Sequence, residues 1–256
     1  ITRHLHEAVK EVEPTQEEWM QAITFLTAVG HKCDDWRQEF ILLSDVLGVS
    51  MLVDTINNRK ADGGTESTVL GPFHVADAPE QPNGANINLD GKGEPLVVRG
   101  TVAAPDGTPI TGAKLDVWQA NDEGFYDVQQ KGIQPDFNLR GVFRSDAKGR
   151  YWFRGAKPKY YPIPTDGPVG QLLLALGREA FRPAHLHFIV AAEGFKPVTT
   201  HIFVPDDPYI DRDAVFGVKH SLLADFKRVD SPEQAATQGV ANPYWKVIFD
   251  FVLEPV

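Results

Sequence analysis

From Pro95 to Leu253 the chain is a succession of seven short runs rich in β-branched and aromatic residues, and this limits the fold more than any other feature. The runs are PLVVRGTVAA, AKLDVWQA, VFRS, RYWFRG, HLHFIVAA, VTTHIFV and YWKVIFDFVL. Turn-forming stretches separate several of them: PDGTP at 105–109, DAKG at 146–149 and AEGFKP at 192–197. Short strands with such turns suggest an antiparallel sandwich. In the last run Val247, Phe249, Phe251 and Leu253 alternate, as the buried face of one strand does.

The first 59 residues carry the other period. Thr15 followed by Glu18 makes a capping box, and Trp19, Ile23 and Leu26 then recur at helical spacing. A second run sets Trp36, Phe40, Leu43 and Leu47 on one stripe, with Asp34 and Asp35 as candidate caps. Between Lys60 and Gly93, glycine, proline and asparagine dominate and neither period survives. A loop of that length in a compact domain is often a binding or lid segment. The expected class is α+β, mainly β, with a helical region over residues 1–59 and an antiparallel β-sandwich domain over 60–256.

Composition narrows the function. The net charge of −10, from 25 basic and 35 acidic side chains, argues against a nucleic-acid partner, which needs a basic face. The single cysteine, Cys33, excludes an intrachain disulfide, fits a reducing compartment and reads as a small packed residue. No stretch approaches the roughly 18 apolar residues of a membrane span. The opening ITRHLHEAV lacks the apolar core of a signal peptide, so a cytoplasmic location is expected.

His185 and His187 lie two apart in PAHLHFIV, and strand alternation points both to one face, where both imidazoles can reach one metal ion. Two histidines hydrogen-bonded on a wet sheet face would leave the same pattern. No cysteine is at hand for a thiolate site. Tyr126, after the turn-like NDEGF, and Tyr161, in the proline-constrained KYYPIPTDGP, offer phenols instead. A phenolate is a hard anionic ligand suited to Fe(III), and a metal can remove the proton of a phenol with an ordinary pKa near 10. Taken singly, each tyrosine reads as a core or rim residue.

The stretch from about Glu66 to Phe251 resembles the intradiol ring-cleavage dioxygenases, the catechol 1,2-dioxygenase family. The resemblance is carried by TVLGPF at 68–73, DVWQANDEGFY at 116–126, LRGVFRSD at 139–146, YPIPTDGPVGQLL at 161–173 and RPAHLHF at 182–188. It implies one Fe(III) per chain, held by Tyr126, Tyr161, His185 and His187, and O2-dependent cleavage of an aromatic ortho-diol. Tyr161 would leave the iron and take up a proton when the diol binds. Arg182 would stabilise charge building on the reacting ring carbon. It implies that the β-sandwich is the catalytic domain. It also implies a homodimer through the N-terminal helices, with lipid bound in some members.

His201, in VTTHIFV, stands where catechol-type members usually carry glutamine. A histidine there, with TESTVLGPFHV and VFGVK, is similar to members that cleave hydroxyquinol (benzene-1,2,4-triol), and is expected to donate a hydrogen bond beside the metal. His74 reads as loop structure. By the same resemblance the substrate slot is lined by Leu42, Asp45, Val69, Leu70, Gly71, Pro72, Phe73, Ile163, Pro164 and Val215. Asp45, on the second predicted helix, could accept a hydrogen bond from a third ring hydroxyl. The competing expectations are a catechol or chlorocatechol 1,2-dioxygenase and a non-catalytic binding sandwich.

Overall fold

The computed structural model describes residues 1–35, 37–60 and 63–256, so Trp36 of the second apolar stripe lies outside the described residues. Four helices come first: α1 (Thr2–Val12), α2 (Gln16–Lys32), α3 (Glu39–Val46) and α4 (Val49–Asn57). The start of α2 is the expected capping box. The Glu18 amide donates to Thr15 Oγ1 at 3.2 Å, and the Thr15 amide donates to Glu18 Oε2 at 2.8 Å.

α3 does not begin at Asp34 or Asp35. The Asp34 carboxylate instead accepts the Arg37 amide at 2.7 Å, closing a turn before the helix. Glu39, the first helical residue, is fully buried. It pairs with Arg37 at 2.8 Å and accepts the Val169 amide at 3.2 Å. That amide opens α5 (Pro168–Ala175), where free N–H groups favour a carboxylate, so Glu39 fastens α3 to α5.

The stripe of α2 forms but is not covered within one chain: Trp19, Ile23 and Leu26 keep 50%, 42% and 44% of their surface. Leu5 and Val9 of α1 and Leu52 and Val53 of α4 are exposed too. Among the described residues no helix is long and apolar enough to cross a membrane.

The remaining strands are β1 (Pro95–Ala103), β2 (Lys114–Trp118), β3 (Arg140–Arg144), β4 (Arg150–Ala156), β5 (Tyr161–Pro162), β6 (Phe181–Arg182), β7 (His185–Ala191), β8 (Val198–Phe203), β9 (Lys227–Val229), β10 (Tyr244–Ile248) and β11 (Phe251–Val252), with α6 (Pro232–Gln238) before β10. One sheet runs β3-β2-β7-β8, antiparallel throughout. In the other, β1 pairs antiparallel with β4 but parallel with β10 and β11, and β9 continues beyond β10. The sandwich is therefore formed, with parallel pairing as its one departure. A tight turn dictates antiparallel direction, and β10 returns from far along the chain without one.

The last run is also two strands rather than one. It breaks opposite Gly100, where a Cβ would overlap the Phe249 carbonyl oxygen. The Phe249 amide donates to Arg99 O at 3.0 Å and Asp250 accepts the Thr101 amide at 2.7 Å. Val247, Phe251 and Leu253 stay buried, while Phe249 is only partly covered.

Between the sheets lie Leu96 and Val98 of β1, Leu115 and Val117 of β2, Phe143, Phe153, Leu186, Phe188 and Val190. Full burial of such a side chain is worth about 1.5–3 kcal/mol. Because β7 gives its even-numbered residues to this core, its odd-numbered residues must face the opposite side of the sheet.

Candidate metal centre

The odd-numbered face of β7 carries His185 and His187, and the neighbouring strands decide what flanks them. Register sets Trp118 of β2 opposite His187 on one side and His201 of β8 opposite it on the other. The Trp118 ring stacks on His187 with centroids 4.6 Å apart and planes 13° apart. His201 meets His187 edge-on at 4.2 Å and stacks on His185 at 4.6 Å. Nitrogens of His185, His187 and His201 all lie within 4.8 Å of one another, and all three residues are buried.

Two loops bring phenols to the same place. Asn121 Oδ1 accepts the amides of Glu123 and Phe125 at 3.0 and 2.9 Å, closing the turn before Tyr126. The Tyr126 amide then donates to Gln129 Oε1 at 2.9 Å, and its hydroxyl comes to 2.7 Å from His187 Nε2. Tyr161 and Arg182 are partners across the β5–β6 pair. The Tyr161 ring stands perpendicular to that of Tyr126 at 5.3 Å and 5.6 Å from that of His185. Arg182 Nη1 is 3.4 Å from His185 Nε2, and Nη2 is 3.4 Å from His201 Nδ1.

Part of the aperiodic loop, expected to be a binding or lid segment, lies against this cluster. Thr68 Oγ1 lies 3.1 Å from His201 Nδ1, and Phe73 stacks on Tyr126 at 4.5 Å. A Cβ on Gly71, whose φ is +76°, would stand 3.2 Å from His187 Cε1. His74 is more than loop structure, since its Nε2 is 3.1 Å from Asp116 Oδ2 and its ring meets Trp118 at 4.7 Å.

The chemistry of these groups fits a metal ion. His185 Nδ1 is 2.6 Å from Pro183 O; a carbonyl only accepts, so Nδ1 carries the proton and Nε2 presents a lone pair. That lone pair faces His187 Nε2 at 3.1 Å. His187 Nδ1 and His201 Nε2 are buried with no hydrogen-bond partner among the described residues. Burial holds all three imidazoles well below their ordinary pKa of 6.5, so they are neutral, the form that ligates. Burial, reinforced by Tyr161, lifts Tyr126 well above the ordinary 10, so it stays a phenol until a cation draws off its proton. Buried lone pairs gathered without an apolar filling are costly unless a cation satisfies them.

Residues 69–255 match the family model described as Dioxygenase, and residues 1–65 the one described as Catechol dioxygenase N terminus. The chain belongs to the intradiol ring-cleavage dioxygenases. It is 70% identical over 254 residues to the hydroxyquinol 1,2-dioxygenase of Rhizobium sp. (strain MTP-10005), covering 99% of this chain and 86% of that protein. It is 49% identical to the 6-chlorohydroxyquinol 1,2-dioxygenase of Cupriavidus pinatubonensis, covering 100% of this chain and 88% of the relative. The crystal structure of hydroxyquinol 1,2-dioxygenase from Pseudomonas putida DLL-E4 superposes with a TM-score of 0.94 at 49% identity, over 99% of this chain and 89% of that one.

Of the expected substrate-slot residues in this dioxygenase, Leu42, Val69, Ile163 and Val215 belong to one apolar cluster with Leu43 and Val46. Phe73 joins Tyr126 and Tyr161 instead, and Gly71 lies against His187. Leu70, Pro72 and Pro164 are exposed. Asp45 is half-buried on α3. Burial raises its pKa above the ordinary carboxylate value, opposed by a hydrogen bond with Ser50 and by the charge of Arg182.

Several partners escaped the sequence reading. Asp213 holds Arg182 in a fully buried ion pair, its carboxylate accepting Nε at 3.1 Å and Nη2 at 3.2 Å. Asp127, next to Tyr126, accepts from Arg140 Nε at 2.6 Å in a second buried pair. Both arginines favour the anionic form of Tyr126. Arg140 and Arg182 stand beside apolar strand residues, which was the available signal, but nothing local names their partners.

Proposed function

We propose that this dioxygenase holds one Fe(III) through Tyr126, Tyr161, His185 and His187 and cleaves hydroxyquinol with O2 between its two ortho hydroxyls, giving 3-hydroxy-cis,cis-muconate, the enol form of maleylacetate. The observation that carries the reading is the buried convergence of those four side chains with Arg182 beside them. Two neutral imidazoles and two phenols form a hard N and O donor set, and two phenolates with a hydroxide balance a trivalent ion. Ferric iron, when bound, would supply a Lewis acid that withdraws electron density from the aromatic diol so that O2 can react with it.

The chain's own residues do the rest. His185 and His187 present fixed lone pairs. Tyr126 would serve as a fixed anionic donor, and Tyr161 would take up and hold a substrate proton at its phenol oxygen. Arg182 keeps a cation beside the reacting ring, since burial, which works against its charge, is outweighed by Asp213 and Tyr161. His201, held against Thr68 through Nδ1, would donate a hydrogen bond beside the metal. Leu42, Val69, Ile163 and Val215 form the apolar walls of the slot, Leu70, Gly71, Pro72, Phe73 and Pro164 complete it, and Asp45 accepts the third hydroxyl.

Hydroxyquinol as the substrate is supported by the identity to the Rhizobium protein and by the half-buried Asp45. A homodimer through the N-terminal helices is supported by the exposed stripe of α2, which a second copy and a bound lipid would cover. A cytoplasmic location is supported by the single cysteine. The test is oxygen uptake by iron-replete protein with hydroxyquinol, catechol and 4-chlorocatechol in parallel, alongside metal analysis. The expected result is one iron per chain, a wine-red tyrosinate band and preference for hydroxyquinol. Stoichiometric zinc in colourless active protein would overturn the iron assignment, and preference for chlorocatechol would overturn the substrate.

A further inference from the structure

We infer that Asp213 is the positioning residue for Arg182, and that the turn over residues 213–217 is shaped to aim the guanidinium at the metal centre. The inference rests on the ferric-dioxygenase reading, which gives Arg182 a task there.

A guanidinium is a planar fork, so holding one edge decides where the other donors point. Asp213 takes the edge formed by Nε and Nη2, at 3.1 and 3.2 Å. The carboxylate cannot turn to follow a moving arginine, because its oxygens also accept the amides of Val215 at 3.2 Å and Gly217 at 3.0 Å. With that edge anchored, Nη1 is left 3.4 Å from His185 Nε2 and Nη2 is left 3.4 Å from His201 Nδ1.

Gly217 supplies the space. A Cβ there would stand 2.7 Å from Arg182 Nη2 and 3.0 Å from Asp213 Oδ2. The turn also adopts a conformation that its sequence does not favour, since Phe216 has φ of +57°, uncommon for an aromatic residue. The Phe216 ring is half exposed, and two contacts border its covered side. A Cβ on Gly48 would stand 3.2 Å from the Phe216 ring, and the Arg178 guanidinium lies over that ring at 4.6 Å. Arg178 in turn donates to the carbonyls of Val46 and Ala214. Backbone strain maintained by packing clusters at functional sites. A buried ion pair is also seldom more stable than apolar packing of the same volume, so stability alone does not account for it.

Asp213→Asn tests the proposal, because the amide N–H2 would face an arginine N–H. Expected is a fall in kcat for hydroxyquinol of about 100-fold with KM within about threefold, the iron and its visible band being retained. Against an Arg182→Ala background the same change should cost less than about twofold, because the two residues act as one unit. The crystal structure of metal-free Asp213→Asn protein should show the guanidinium out of hydrogen-bonding range of His185 and His201. Gly217→Ala, which crowds Nη2 without removing charge, should lower kcat about tenfold and decides the matter if Asp213→Asn fails to fold.

Full kcat in either variant, additive effects of the Arg182 and Asp213 changes, or an unmoved guanidinium would each overturn the proposal. Loss of iron from Asp213→Asn would overturn it too, since Asp213 would then support the ligands rather than Arg182. If wild-type protein consumes no O2 with any diol, it is the dioxygenase reading that fails, and the guanidinium position in the metal-free crystal still decides the part of Asp213.

Discussion

The Tyr126 hydroxyl stands 2.7 Å from Nε2 of His187, a residue 61 positions further along the chain. Both side chains are buried, so the phenol oxygen has no solvent to fall back on. Tyr126→Phe should shift the visible band and weaken iron retention by about 10–100-fold, because a fixed anionic donor is lost. Tyr161→Phe should keep its iron but lose most turnover, because the phenol oxygen that accepts the substrate proton is gone. Metal analysis, absorption spectra and single-turnover kinetics on the two variants separate these roles; equal and negligible effects would refute both.

Trp118 forms the wall against which His187 stacks, and its indole is 1% exposed. Trp118→Ala should destabilise the fold by about 3–5 kcal/mol through the cavity it leaves. Iron should also leave this variant faster, since His187 can then rotate away from the site. Denaturant unfolding and the rate of iron release to a chelator measure the two effects. Loss of stability without faster release would confine Trp118 to packing.

The buried imidazoles make the metal-free protein sensitive to acid. His185, His187 and His201 are held well below 6.5 by burial, so in the fold they stay neutral where the unfolded chain protonates them. Below about pH 6.5 the unfolded state therefore binds more protons, and stability falls as pH falls. The stability is fully present above about pH 7, and each histidine removes about 1.4 kcal/mol per further pH unit once well below 6.5. Metal-free protein should unfold at a markedly lower temperature at about pH 5.5 than at about pH 7.5. His201→Gln should flatten that dependence by removing one titrating group. A profile unchanged between the two pH values would contradict the neutral, buried state of the cluster.

Asp45 should govern substrate choice. A third ring hydroxyl left unpaired on burial costs roughly 1–3 kcal/mol, and a half-buried carboxylate without its partner is penalised in turn. Asp45→Ala should lower kcat/KM for hydroxyquinol by about 10–100-fold, at about 1.4 kcal/mol per tenfold, while catechol cleavage holds steady or rises. Steady-state kinetics on both substrates decide it, and an unchanged ratio removes Asp45 from recognition.

What could be read from the sequence was what the backbone enforces locally. Thr15 and Glu18 cap α2 because two orphan amides lie within reach of their side chains. His185 and His187 share a face because strand alternation leaves no other arrangement. The tyrosines had no such local signature and entered only through resemblance. The error at Asp34 has the same origin. A turn and a helix start both welcome an aspartate, and the burial of Glu39 against α5 decided between them.

By itself the sequence determined the alternation of strands, the period of the helices, the HxH pair and the acidic balance. All of these follow from sterics or composition within a few residues. Only the tertiary structure decided that Trp118 and His201 flank His187, that Asp213 holds Arg182, and that the last run breaks where it passes Gly100 of β1. Register between strands, the pairing of buried charges and close backbone approach are set by the free energy of the whole packed arrangement. No local stretch of sequence carries that information.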